Sequence, residues 1–98
     1  MIKHIVFWKL KEQADGRSKA ENAQLIKEKL EALRGQIEGL INIEVGINFV
    51  DGNYDLALYS ELATKEDLDV YQNHPKHQAV LPFVRAVVED RKAVDYEV

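Results

Sequence analysis

The sequence predicts an α+β domain with the element order β-α-β-β-α-β, and three observations point to it. Four stretches are rich in β-branched and aromatic residues, and the second alternates apolar and polar side chains with a clean period of two. Between the first two stretches, apolar residues recur at three- and four-residue steps, the pattern of an amphipathic helix. A turn signal, Asp51-Gly52-Asn53, joins the second and third stretches as a hairpin.

Taken in order, Ile2 to Leu10 reads as the first strand. Ile2, His4, Val6, Trp8 and Leu10 share one face, and Lys3, Ile5, Phe7 and Lys9 share the other. Asp15-Gly16 marks a loop. Ser18 is placed to cap the following helix, with Glu21 completing a capping box. Ala23, Ile26, Leu30 and Leu33 form its apolar stripe, and Gly35 or Gly39 is expected to end it.

The second strand is expected over Ile41–Phe49, with Ile41, Ile43, Val45, Ile47 and Phe49 on one face, and the third over Tyr54–Leu62. Thr64 then caps a helix running to about Asn73. Pro75 disfavours the α conformation at His74, so the helix stops there and a new helical turn begins at Pro75. Pro82 is expected to break or kink this second piece, leaving Phe83–Val88 as a separate turn, and Arg91–Val98 reads as the fourth strand. This is the split-βαβ, ferredoxin-like arrangement, with both helices on one face of an antiparallel sheet.

The length suits one domain over residues 1–98 and no second core. A net charge of −4 argues against binding nucleic acid or an anionic membrane, since both demand a basic face. The lack of cysteine excludes disulfides and thiolate metal sites and fits a reducing compartment. The opening apolar run is too short, and too interrupted by charge, for a signal peptide or membrane span, so a cytoplasmic location is expected.

Both faces of the first and third strands carry large apolar side chains. Val6 and Trp8 oppose Ile5 and Phe7, and Leu56 and Leu58 oppose Ala57 and Tyr59. Strands read this way when both faces are covered, yet helices on one side cover one face. Each large side chain left bare forgoes roughly 1.5–3 kcal/mol. A two-fold homodimer with sheets packed face to face is the expected remedy.

Chemistry concentrates in the segment VYQNHPKHQAV, where Tyr71, His74 and His77 fall three residues apart. A neutral imidazole beside a phenol can remove an α-proton while the hydroxyl supports a developing enolate. Placement near a helix start would keep His77 neutral. A structural role, bonding a nearby carbonyl at the helix break, stands beside that chemistry. His74, His77 and His4 have the composition of a three-histidine zinc site, but the proline interrupts the helix such pairs use and no carboxylate stands behind them, so no metal is assigned. Phosphate-binding and serine-nucleophile motifs are absent, and no cofactor is implied.

Five segments taken together, IKHIVFWKLK, INIEVGINF, YDLALYSEL, YQNHPKHQAV and VVEDRKAVDYEV, resemble the stress-responsive α/β-barrel family. The resemblance implies ferredoxin-like subunits paired into a dimeric α+β barrel. It also brings similarity to plant members that act as polyketide cyclases, and to others that are stress-associated oligomers without assigned activity. On the cyclase pattern, Tyr71 and His77 occupy the catalytic positions and His4 matches a cavity histidine. The resemblance thus implies a cavity between sheet and helices that includes His4, Val6, Trp8 and His74 and binds a small carbonyl or aromatic compound. The alternative is a non-catalytic homo-oligomer in which the HPxH segment is structural.

Overall fold

The computed structural model describes residues 1–98. A four-stranded antiparallel sheet is formed by β1 (Ile2–Leu10), β4 (Leu40–Ile47), β5 (Leu56–Leu62) and β6 (Val88–Glu97), in the order β4-β5-β1-β6. Its helices are α1 (Lys19–Glu31), α2 (Lys65–Asn73), α3 (Pro75–Gln78) and α4 (Leu81–Val87). The ferredoxin-like order read from the sequence is the one observed. No helix is long and apolar enough to cross a membrane.

The alternation of β1 holds along its length: Ile2, His4, Val6, Trp8 and Leu10 are all buried. They meet Leu56, Leu58, Ser60 and Leu62 from β5 and Ala23, Ile26 and Leu30 from α1 in one core. Helix α1 starts with the expected capping box: Ser18 Oγ accepts from the Glu21 amide, and the Ser18 amide donates to the Glu21 carboxylate. Asp15-Gly16 is more than a loop. Both residues take positive φ, 54° and 74°, as the turn of a two-residue hairpin between β2 (Gln13–Ala14) and β3 (Arg17–Ser18).

Helix α1 ends at Glu31, ahead of both glycines, because the Leu33 and Arg34 amides fold back on the Leu30 and Glu31 carbonyls. Its charged side chains then cover the open edge of the sheet. The Glu31 carboxylate accepts from the Val45 amide (3.0 Å), Lys27 Nζ donates to the Val45 carbonyl (2.6 Å), and Arg34 donates to the Ile43 carbonyl. Edge-strand groups that would otherwise invite another chain are thereby occupied.

Three strands depart from expectation, the simplest being β5, which begins at Leu56 and not at Tyr54. In β4 the pairing steps from Leu40 opposite Leu62 to Asn42 opposite Glu61, so Ile41 is the extra residue of a bulge. The bulge moves Ile41 out of the core row and brings Leu40 in, beside Ile43 and Val45. The strand stops at Ile47, leaving Phe49 in the following loop, 95% exposed. The last strand starts at Val88, earlier than Arg91. The expected break in the second helical piece is present but falls before Pro82, between α3 and α4, and Pro82 lies in the first turn of α4, where its missing amide is one no helix would use.

Gly39 closes the turn into β4 at φ +85°, and a Cβ there would lie 2.3 Å from the Asp67 carboxyl carbon at the start of α2. Gly35 also has positive φ (+76°) but open space around it. Gly35→Ala should therefore cost about 1–2 kcal/mol of backbone strain, and Gly39→Ala a further ~1–3 kcal/mol as Asp67 is displaced. Urea denaturation of the two variants checks the ranking; equal losses would mean that the approach to α2 is immaterial.

Candidate functional site

The site is built around the break between α2 and α3. Pro75 cannot continue α2, so His74 turns extended (φ −66°, ψ 136°). The His74 Nδ1 accepts from the Lys76 amide at 3.1 Å and caps α3, with Pro75 in that helix's first turn. This break brings His77 against Tyr71, which lies in the last turn of α2 and is fully buried. Their ring centroids lie 4.4 Å apart with planes tilted by 39°. His4 approaches the other side of Tyr71 edge-on, at 6.2 Å and 64°.

These three rings line a cavity of about 330 Å³ between the inner face of β1 and helices α2, α3 and α4. Val6, Trp8 and Leu58 form its apolar floor, and Leu81 and Val84 close it from α4. Its size and mainly apolar lining with a few polar groups match a small-molecule site.

The polar groups differ in how they are satisfied. His77 Nδ1 lies 3.1 Å from the Gln72 carbonyl. A carbonyl can only accept, so Nδ1 carries the proton and Nε2 holds the free lone pair of the neutral ring. Burial pushes the His77 pKa below its ordinary value against that bond, and the charge of the nearby Arg91 guanidinium lowers it further. The sequence-level cause, a helix dipole, is minor beside burial because α3 has four residues. His4 Nδ1 is paired with Asp95 across β1 and β6. The Tyr71 hydroxyl is buried without a hydrogen-bond partner, and burial raises its pKa to about 12.

Comparison with known proteins identifies the family of this fold. The family model for the stress responsive A/B barrel domain matches residues 2–98. The chain belongs to that family. A dimeric ferredoxin-like protein of unknown function from Bacteroides fragilis is 37% identical, with a TM-score of 0.85 over 99% of this chain and 95% of that one. A second dimeric ferredoxin-like protein of unknown function, from Thermobifida fusca, is 27% identical, with a TM-score of 0.83 over 99% and 90%. A protein from Arabidopsis thaliana shares the fold at 22% identity, with a TM-score of 0.81 over 100% and 95%. No curated protein matches significantly.

In this A/B barrel domain, five of the six residues singled out from the sequence meet at one cavity: His4, Val6, Trp8, Tyr71 and His77. His74 does not. The family resemblance placed it at the cavity, but the proline puts it outside the helix and commits its imidazole to capping. The three histidines accordingly form no cluster suited to a metal. Arg85 and Arg91 line the cavity and were not foreseen. Arg85 follows Leu81 by one helical turn and could have been placed from the α4 periodicity. Arg91 faces inward because it pairs with Trp8, a register that depends on a shift between Lys9 and Leu10.

The depressed His77 pKa has a definite sign in stability. Between the folded value and the ordinary 6.5, the unfolded chain binds more protons at this residue, so stability falls as pH drops through that window. His77→Asn should flatten that part of the profile. Urea denaturation at pH 5 and pH 7.5 checks it: the variant should lose less stability on acidification than the wild type, and an equal loss would contradict the buried, neutral imidazole.

Proposed function

We propose that the cavity binds a small carbonyl or aromatic compound and that Tyr71 and His77 act on it as an acid/base pair. One observation carries this: a fully buried phenol without a partner stands against an imidazole whose Nδ1–H is fixed and whose Nε2 is free. Leaving a buried hydroxyl unpaired costs about 1–3 kcal/mol, which a ligand oxygen bonded there would offset.

In the proposed step, His77 Nε2 takes a proton from the carbon next to a carbonyl. The released electron pair moves onto the carbonyl oxygen, which accepts a hydrogen bond from Tyr71. The enolate then attacks a second carbonyl carbon in a cyclase-like reaction, or is reprotonated elsewhere in an isomerase-like one, and His77 returns its proton. Burial suits both roles. It keeps His77 neutral and able to accept, and it keeps Tyr71 protonated and able to donate. His4, held by Asp95, flanks the phenol and orients the ligand. This chemistry calls for no cofactor.

The working unit in this proposal is a two-fold dimer joined through the outer face of the sheet. Supporting it, Ile5 pairs with Val94 and Lys3 with Tyr96 on that face, where Phe7, Val94 and Tyr96 are 38%, 53% and 44% exposed. Such a patch is uncommon on a soluble monomer, and the relatives from B. fragilis and T. fusca are dimeric. Lys3, bonded to Tyr59 (2.6 Å) and Glu61, adds a charged pair to the apolar centre of this surface.

Tyr71→Phe deletes the unpaired hydroxyl and keeps the ring. The variant should be as stable as the wild type or gain up to about 1–3 kcal/mol, and lose its response to β-keto and aromatic ligands in NMR shift titrations. His77→Ala should lose the same response. If Tyr71→Phe is less stable, the hydroxyl has a structural partner; if ligand shifts survive in both variants, the acid/base assignment goes. Sedimentation should show a dimer at micromolar concentration, and a stable single subunit there would overturn the face-to-face pairing.

A further inference from the structure

The charged side chains lining the cavity are all basic. Two histidines, His4 and His77, and two arginines, Arg85 and Arg91, line it, and no carboxylate does, although the chain as a whole carries a net charge of −4. All six ion pairs of the molecule involve Lys or His; neither Arg85 nor Arg91 has a carboxylate within reach, and neither guanidinium makes a hydrogen bond. The nearest acid on the inner face of β6, Asp95, is taken by His4. Arg91 is close enough to His77 for its charge to disfavour imidazolium. Concentrating positive charge without counter-charge is unfavourable in the empty site, and a guanidinium's planar fork matches a carboxylate through two parallel hydrogen bonds.

The geometry points to a keto acid as the ligand, with its carboxylate held by Arg85 and Arg91 at the cavity rim and its carbonyl oxygen on the Tyr71 hydroxyl. The inference rests on the acid/base reading of the same cavity and adds the ligand's charge and direction of entry. Arg85 comes from α4 and Arg91 from β6, both exposed, whereas Tyr71 is fully buried. The anion therefore stays near solvent while the apolar body enters over Val6, Trp8 and Leu58. Carboxylate bound there neutralises Arg91 beside His77, so binding makes His77 a stronger base when a substrate is present.

The test uses 3-benzoylpropionate and its neutral primary amide, titrated into the full chain and followed by calorimetry and by His77 NMR shifts. The acid should bind about tenfold or more tightly than the amide, and that preference should shrink with added salt. Arg91→Gln and Arg85→Gln should each lower the acid's affinity while leaving the amide's unchanged, with Arg91→Lys recovering part of the loss. Unchanged thermal unfolding of these variants confirms that the fold is intact. Equal binding of acid and amide, with His77 still responding, overturns the carboxylate site and leaves the acid/base proposal standing. Failure of both ligands to bind or to shift His77 overturns the two together.

Discussion

The alternation of a single strand underlies both the core and the cavity. β1 is hydrogen-bonded on both sides, to β5 and β6, so its register sets where every inward side chain of the sheet can stand. Ile2 and Leu10 seal its two ends against solvent, Val6 and Trp8 floor the cavity, and His4 is the polar interruption between them. A slip of one residue would send all five to the opposite face and bring Lys3 and Lys9 inward, a change no packing could offset. The pairing of His4 with Asp95 and the inward placement of Arg91 opposite Trp8 depend on the same register.

Above that floor, the broken helix solves a geometric problem. A continuous helix through residues 65–78 would place Tyr71 and His77 six residues apart and on different faces. The proline break redirects the chain so that His77 lies against Tyr71, with the Gln72 carbonyl holding its imidazole. The HPxH segment thus divides its labour. His74 and Pro75 make the break, and His77 uses it.

Much of this was legible in the residues. Local signals with strong stereochemistry were reliable: the capping box at Ser18, the cap at Thr64, the stop at Pro75, and the period-two rows of β1 and β5. What escaped was set by tertiary geometry. The bulge at Ile41 leaves the apolar pattern of that strand intact while changing which side chains it buries, so the alternation held at Ile43 and Val45 and failed at Ile41, where Leu40 is buried instead. Arg85 and Arg91 are ordinary surface residues by type, and only the packing of α4 and the pairing of β6 turn them toward the site. His74 failed for the opposite reason: spacing placed it with Tyr71, and the local effect of proline removed it.

The outermost strand carries one more implication. β6 completes the sheet by pairing with β1 across almost the whole chain, the partners His4 and Asp95 being 91 positions apart. Contacts this remote close the largest loop the domain contains and reward the chain late, after the local helices and the β4–β5 hairpin can form. The wall bearing Arg91 and Asp95 thus rests on contacts that bring the two ends of the chain together. A ligand held between this wall and the rest of the cavity would bind only the folded chain, and its binding would add to the stability of the whole domain.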